Sequence, residues 1–191
     1  METICRCGWC NLNNPLYVAY HDREWGVPQH EDGKLFELLI LESFQAGLSW
    51  ETILNKREAF RAAFGGFHPE RVAAYGEEKT AALLEDKAIV RNRRKIAAAV
   101  QNAKVFLEIQ AEWGSFARYI WHFTDGQVVR EMGKASSPLS DRVSADLKKR
   151  GMTFVGTTIV YAYLQAAGVI DSHEPGCFLH RKDGAPGRGA E

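Results

Sequence analysis

Cysteine and histidine gather at the two ends of this 191-residue chain. Cys5, Cys7 and Cys10 crowd the start and His21 follows, while His173 and Cys177 stand four apart near the other end. Zinc prefers four Cys or His donors in a tetrahedron, and His-x3-Cys spacing can place two of them on one ion. Cys7, His21, His173 and Cys177 would complete such a set. On spacing alone, Cys5 or Cys10 could stand in for Cys7, and unrelated thiols and imidazoles fit the pattern as well. Four protein ligands leave no position for water, so this zinc would be structural. Tying His21 to His173 closes a loop of about 150 residues, worth roughly 5 kcal/mol by chain entropy.

A second run with chemical potential is Gly151-Met152-Thr153-Phe154-Val155-Gly156-Thr157-Thr158, between basic Lys148-Lys149-Arg150 and apolar Ile159-Val160-Tyr161. Two glycines around apolar residues permit a tight turn that aims successive amides outward, and the following helix start adds partial positive charge. That combination suits a phosphate, with Gly151, Val155, Gly156, Thr157 and Thr158 as candidate contacts. A helix stopped by glycine and a helix capped by threonine would read the same way. Arg91, Arg93, Arg94 and Lys95 could extend a phosphate-binding face or simply form a solvated helix start.

Glu42 is the third feature. It follows Leu38-Leu39-Ile40-Leu41 on a segment apolar nearly all round, and a buried carboxylate needs hydrogen-bond partners, a salt bridge or a cationic ligand. Trp9, Tyr17, Tyr20 and Trp25 in the opening segment, with Trp50, could line a pocket for a flat ligand or seal a small core.

The elements that must hold these residues are helical. The first 30 residues read as irregular, and a buried helix starts at Asp32 and stops near Gly47. Ser49 caps a helix from Trp50 to Phe64 that ends at Gly65-Gly66. Short helices follow from Pro69 and over 77–87, then a long one over 94–113 and another after Ser115. The stretch 124–140 reads as loop with a hint of alternation over 127–130. Helices resume over 140–150 and 157–167. The expected fold class is all-α, with about eight helices in one domain over 1–181 and a glycine-rich, frayed tail over 182–191.

Composition limits the alternatives. With 24 basic and 24 acidic side chains, overall charge cannot hold a polyanion, although a local basic face can. No apolar run approaches the roughly 20 residues that span a bilayer, and no secretory signal pattern opens the chain. Four cysteines are too few for a disulfide scaffold. The expectation is a soluble cytoplasmic protein with reduced thiols.

Several blocks resemble the 3-methyladenine DNA glycosylase I family. They are Cys7-Gly8-Trp9, Pro15-Leu16-Tyr17, Tyr20-His21-Asp22, Glu24-Trp25-Gly26-Val27-Pro28, Leu41-Glu42, Gln45-Ala46-Gly47-Leu48-Ser49-Trp50, Phe154-Val155-Gly156-Thr157-Thr158 and His173-x3-Cys177. They run in order over nearly the whole chain. The resemblance implies a helix-hairpin-helix glycosylase fold acting as a monomer on alkylated double-stranded DNA. It implies structural zinc on Cys7, His21, His173 and Cys177, leaving Cys5 and Cys10 outside the pattern. The base pocket it implies comprises Trp9, Tyr17, Tyr20, Trp25, Glu42 and Trp50, with 3-methyladenine as the base and 3-methylguanine as a further candidate.

Methylation at adenine N3 puts positive charge on the base and weakens its bond to the sugar, so the enzyme must chiefly extrude and recognise it. Indole faces can stack on the cation, worth roughly 0.5–2 kcal/mol, and an ionised Glu42 would complement its charge. Asp171 is a rival catalytic candidate, because Asp171-Ser172-His173 resembles the Asp-Thr-His pattern of the wider helix-hairpin-helix superfamily. Bifunctional relatives carry a lysine just after the hairpin glycines. Thr157 and Thr158 stand there instead, which implies hydrolysis without strand cleavage. Readings of other classes are a non-catalytic module for damaged DNA and a zinc-stapled protein binding free purine.

Overall fold

The computed structural model describes residues 4–180; the expected tail over 182–191 lies outside them. Ten α-helices occur among the described residues, rather than about eight. One addition is α1 (Pro15–Arg23), in the segment that reads as irregular. Its start signal is local: the Asn14 side chain accepts from the Leu16 amide and Pro15 occupies the first turn. The aromatic residues that obscure the helical period there, Tyr17 and Tyr20, face a cavity.

At the centre lies α2 (Asp32–Gln45), in which every residue from Leu35 to Phe44 is buried. It packs against α3 (Trp50–Asn55), α7 (Arg93–Trp113), α8 (Phe116–His122) and α10 (Thr157–Ala166). Asp32 joins two of these neighbours, accepting from the Phe116 and Ala117 amides and from Gln110 Nε2. The helix expected to run from Trp50 to Phe64 is two helices, α3 and α4 (Arg57–Ala63), broken at Lys56. Lys56 turns out of helical geometry, and its Nζ donates to the Lys87 and Ala88 carbonyls. A 3-10 turn (Gly65–Phe67), α5 (Pro69–Ala73) and α6 (Glu77–Glu85) lead to α7.

The all-α expectation needs one amendment. Within the segment expected to be loop, β1 (Val129–Arg130) pairs in parallel with β2 (Ile170–Asp171), Val129 opposite Ile170. This short ladder holds 129–131 against 169–171. Helix α9 (Pro138–Lys149) starts two residues before Ser140, because Ser137 and Ser140 form a reciprocal capping box with Pro138 in the first turn. No helix among the described residues is long and apolar enough to cross a membrane.

Gly168 seats the opening segment on the end of α10. Its φ is +69°, and a Cβ there would lie 2.3–2.4 Å from the Val27–Pro28 backbone. Replacing Gly168 with Ala should therefore destabilise the protein by about 2 kcal/mol or more in urea denaturation. Gly33, in the first turn of α2 with room for a side chain, predicts the opposite sign. Gly33→Ala should stabilise by about 0.5 kcal/mol.

Candidate active site

A cavity of about 330 Å³ opens between α1, α2, α3 and α10 and takes in all six expected pocket residues: Trp9, Tyr17, Tyr20, Trp25, Glu42 and Trp50. Local structure explains how they converge. On α1, Tyr17 and Tyr20 are three apart and share a face. Asn11 and Asn14 tie the start of α1 to α3 through Glu51. Helix α2 ends in a tight turn in which Ala46 (φ −44°, ψ 115°) and Gly47 (φ +77°) are the two central residues and the Leu48 amide donates to the Gln45 carbonyl at 2.6 Å. That is type II geometry, and its third position needs glycine. Ser49 then caps α3 by accepting from the Thr52 amide, so Trp50 begins α3 facing back toward Glu42.

The rings form a cluster. Trp9 meets Trp25 edge-on at 4.7 Å and Tyr17 at 5.5 Å, and Tyr20 lies 5.1 Å from Trp50. In this setting Glu42 is 3% exposed, and neither its Oε2 nor the Trp50 Nε1 has a hydrogen-bond partner among the described residues. Glu37, on the same helix, answers its burial with ion pairs to Arg57 and Arg61. Glu42 has none. Burial pushes its pKa up to about 8, so in the empty cavity the carboxyl keeps its proton at neutral pH. The ionised glutamate expected from sequence therefore requires a cation beside it. Burial, with Glu42 nearby, also holds the Tyr20 phenol well above its ordinary value, which keeps it a donor.

Other cavity residues escape sequence reasoning. Gln45 could have been found, being one turn along α2 from Glu42. Gln165, Ser172 and the Met132-Gly133-Lys134 stretch give no local signal, because the β1–β2 ladder and the end of α10 bring them in. Gln165 Nε2 donates to Ser172 Oγ, which donates to the Glu131 carbonyl.

The residues proposed for metal sit on the far side of Trp9 and Trp25. Ligand atoms of Cys7, His21 and Cys177 all lie within 4.8 Å of one another, all buried. His173 stacks edge-on against His21 at 5.6 Å, and its buried Nε2 has no partner. Each histidine is held by its other ring nitrogen. Asp22 Oδ1 lies 2.8 Å from His21 Nδ1, and Asp171 Oδ1 lies 2.8 Å from His173 Nδ1. Arg6 in turn grips Asp22 with two hydrogen bonds. Burial, with the Cys177 thiol nearby, pushes the Cys7 thiol up to about 12. Two thiols, one orphaned imidazole nitrogen and carboxylates behind both histidines are a donor set that fits zinc. Gly26 makes room for it: a Cβ there would come within 2.6 Å of the His173 ring. Cys5 is exposed, and the Cys10 thiol points to the Tyr17 carbonyl. Asp171 does not line the cavity.

The glycine-containing run forms the connection between α9 and α10. Gly151 (φ +99°) ends α9 and donates its amide to the Lys148 carbonyl, so it shapes the turn. Asn102 of α7 clasps Thr153 through both amide and carbonyl, and Ser144 donates to the Val155 carbonyl. Beyond this brace, the amides of Val155, Gly156, Thr157 and Thr158 have no partner among the described residues. Gly156 has an ordinary φ of −61° and open space where a Cβ would stand, so the protein's own packing does not require glycine there. The Thr157 hydroxyl donates to Asp141. Of the basic cluster, Arg91, Arg93 and Arg94 are exposed, but Lys95 is buried and unavailable to a phosphate.

Known proteins resemble this chain in sequence and in fold. The Escherichia coli (strain K12) protein DNA-3-methyladenine glycosylase 1 is 45% identical over 179 residues, covering 90% of this chain and 95% of its own. A crystal structure of 3-methyladenine DNA glycosylase I superposes with a TM-score of 0.89 at 46% identity, covering 93% of this chain and all of that one. A variant of 3-methyladenine DNA glycosylase I in complex with 3-methyladenine superposes with a TM-score of 0.86 at 35% identity, covering 90% and 95%. The sequence pattern of methyladenine glycosylases matches residues 9–180, and the chain belongs to the methyladenine glycosylase family.

Proposed function

We propose that this protein hydrolyses the N-glycosidic bond of 3-methyladenine in alkylated double-stranded DNA and leaves the strand intact. The observation that carries the reading is the unpartnered Glu42 carboxyl inside an aromatic cavity. An acid that holds its proton in the empty site discriminates by charge. A cationic methylated base stabilises the ionised carboxylate, whereas neutral adenine leaves it protonated. The Trp50 indole N–H and the Tyr20 hydroxyl supply donors, and the indole faces supply a stacking surface for the cation. In the chemical step, water adds to the sugar carbon and loses a proton, while the bonding pair leaves with the base, which departs neutral. The protein's work is extrusion, positioning and charge complementarity.

The Val155–Thr158 amides support reading α9, the turn and α10 as a helix-hairpin-helix that grips one backbone phosphate without reading sequence. Leu48, 42% exposed at the tip of the α2–α3 turn, borders the same groove as Thr158 and is the apolar side chain best placed to fill the stack a base leaves. Cys7, His21, His173 and Cys177 would hold a structural zinc that fastens the opening segment, with Trp9 and Trp25, to the end of the chain. Asp22 and Asp171 would then hold the histidines with Nε2 toward the ion, which assigns Asp171 to support of the metal rather than to the sugar. Lys134, the one lysine among the cavity-lining residues, sits at the mouth beside Glu131 at 3.5 Å.

Chromatography of bases released from methylated duplex DNA tests the reading. Free 3-methyladenine should appear, borohydride should trap no protein–DNA adduct, and Glu42→Gln should cut release at least 100-fold. Intact release by that variant would remove Glu42 from the mechanism. Because the free site must lose the Glu42 proton as the cation enters, single-turnover release at subsaturating protein should rise with pH up to about 8 and then level. The same raised value costs the free protein stability. Above about pH 4.5 the unfolded chain gives up this proton and the folded one keeps it, so wild type should lose unfolding free energy relative to Glu42→Gln as pH rises to 8. The ceiling is about 5 kcal/mol. Gly156→Val should leave the fold intact and weaken duplex binding about tenfold without changing affinity for the free base. Purified protein should carry close to one zinc per chain, and Cys177→Ser should release it and lower the melting temperature.

A further inference from the structure

We infer that Lys95 is a positioning residue for base extrusion, holding the Gln45–Leu48 turn from beneath so that Glu42, Leu48 and Trp50 keep their relative places. The inference rests on the glycosylase reading above.

Lys95 belongs to a basic cluster yet is 6% exposed. Its Nζ donates to the Phe44 carbonyl at 2.7 Å and to the Ala46 carbonyl at 2.5 Å, and it has no carboxylate partner among the described residues. Burying an ammonium without a counter-charge is costly, and an apolar side chain of similar length would fill the same space without that cost. What the charge provides is a grip on the C-terminal carbonyls of α2, where the helix dipole is negative and backbone acceptors lack partners. Burial lowers the Lys95 pKa, in keeping with this confinement.

The turn so held is short and functionally crowded. Glu42 and Gln45 line the cavity just before it, and Trp50 lines it just after. Leu48 projects at its tip beside Thr158 and Ile159. Lys95 itself touches neither cavity nor groove and acts through the Phe44 and Ala46 carbonyls. Freeing the turn should therefore impair opening of a stacked duplex more than reception of a base already free.

The test compares zinc-loaded wild type, Lys95→Met and Lys95→Arg. Single-turnover release of 3-methyladenine is measured from a paired duplex and from the same lesion in an unpaired bulge, alongside free-base affinity by tryptophan fluorescence. Lys95→Met should lose about 10- to 100-fold on the paired substrate. It should lose less than about 3-fold on the bulge and bind free base as wild type does, and Lys95→Arg should recover part of the loss. Lys95→Gln carries the same comparison if the methionine variant does not fold. Equal losses on both substrates, or paired-duplex release within about 2-fold of wild type, would overturn the inference. Wild-type protein that released no base from either substrate would instead overturn the glycosylase reading, and this inference with it.

Discussion

A carboxyl group taken out of water and given no partner is the constraint around which the rest is arranged. Glu42 sits on a helix buried from Leu35 to Phe44, where aromatic rings crowd round it and its Oε2 has no hydrogen-bond partner among the described residues. Such an arrangement costs stability and persists only where the surroundings are stiff enough to keep the group from escaping. The stiffness has identifiable sources. Asp32 fastens one end of α2 to α8, Lys95 fastens the other to α7, and Arg57 and Arg61 neutralise the only other buried carboxylate among its described residues, Glu37.

The aromatic wall depends on contacts across the whole chain. Trp9 and Trp25 lie on segments with little regular structure of their own, and the end of the chain holds them in place. Gly26 donates its amide to the Gln165 carbonyl, Gln29 to the Ala167 carbonyl, and Phe178 to the Cys5 carbonyl. The buried Cys7, His21 and Cys177 cluster, with the His173 ring edge-on to His21, lies at this seam. A metal there would lock the aromatic wall of the cavity without lining it.

Charge shows why local geometry matters more than composition. The chain is formally neutral, so attraction to DNA must come from a few oriented groups. The amides at the start of α10 that have no partner among the described residues would be such groups under the proposed function, since they carry partial positive charge without a titratable side chain. The basic cluster at the start of α7 divides in two: its arginines face water, while Lys95 turns inward and serves the backbone.

How much was legible in the sequence follows from the range of the interactions involved. Helix starts at Ser49 and Ser115 are legible in the sequence because each side chain bonds to an amide three residues away; Asn14, Asn92 and Ser137 cap helices by the same local bonding, yet none of the three is among the starts expected from sequence. The apolar run around Glu42 likewise marked a buried carboxyl before any fold was known, and the resemblance gathered the six aromatic and acidic pocket residues. Tertiary structure alone decided the rest. The protonation of Glu42 depends on what surrounds it on every neighbouring element, and the meeting of Cys7 with Cys177, which spacing leaves open between Cys5, Cys7 and Cys10 and only the resemblance implies, joins residues 170 positions apart. The inward turn of Lys95 depends on carbonyls about 50 residues distant. No window of sequence contains those separations, because burial and long-range contact are properties of the packed chain.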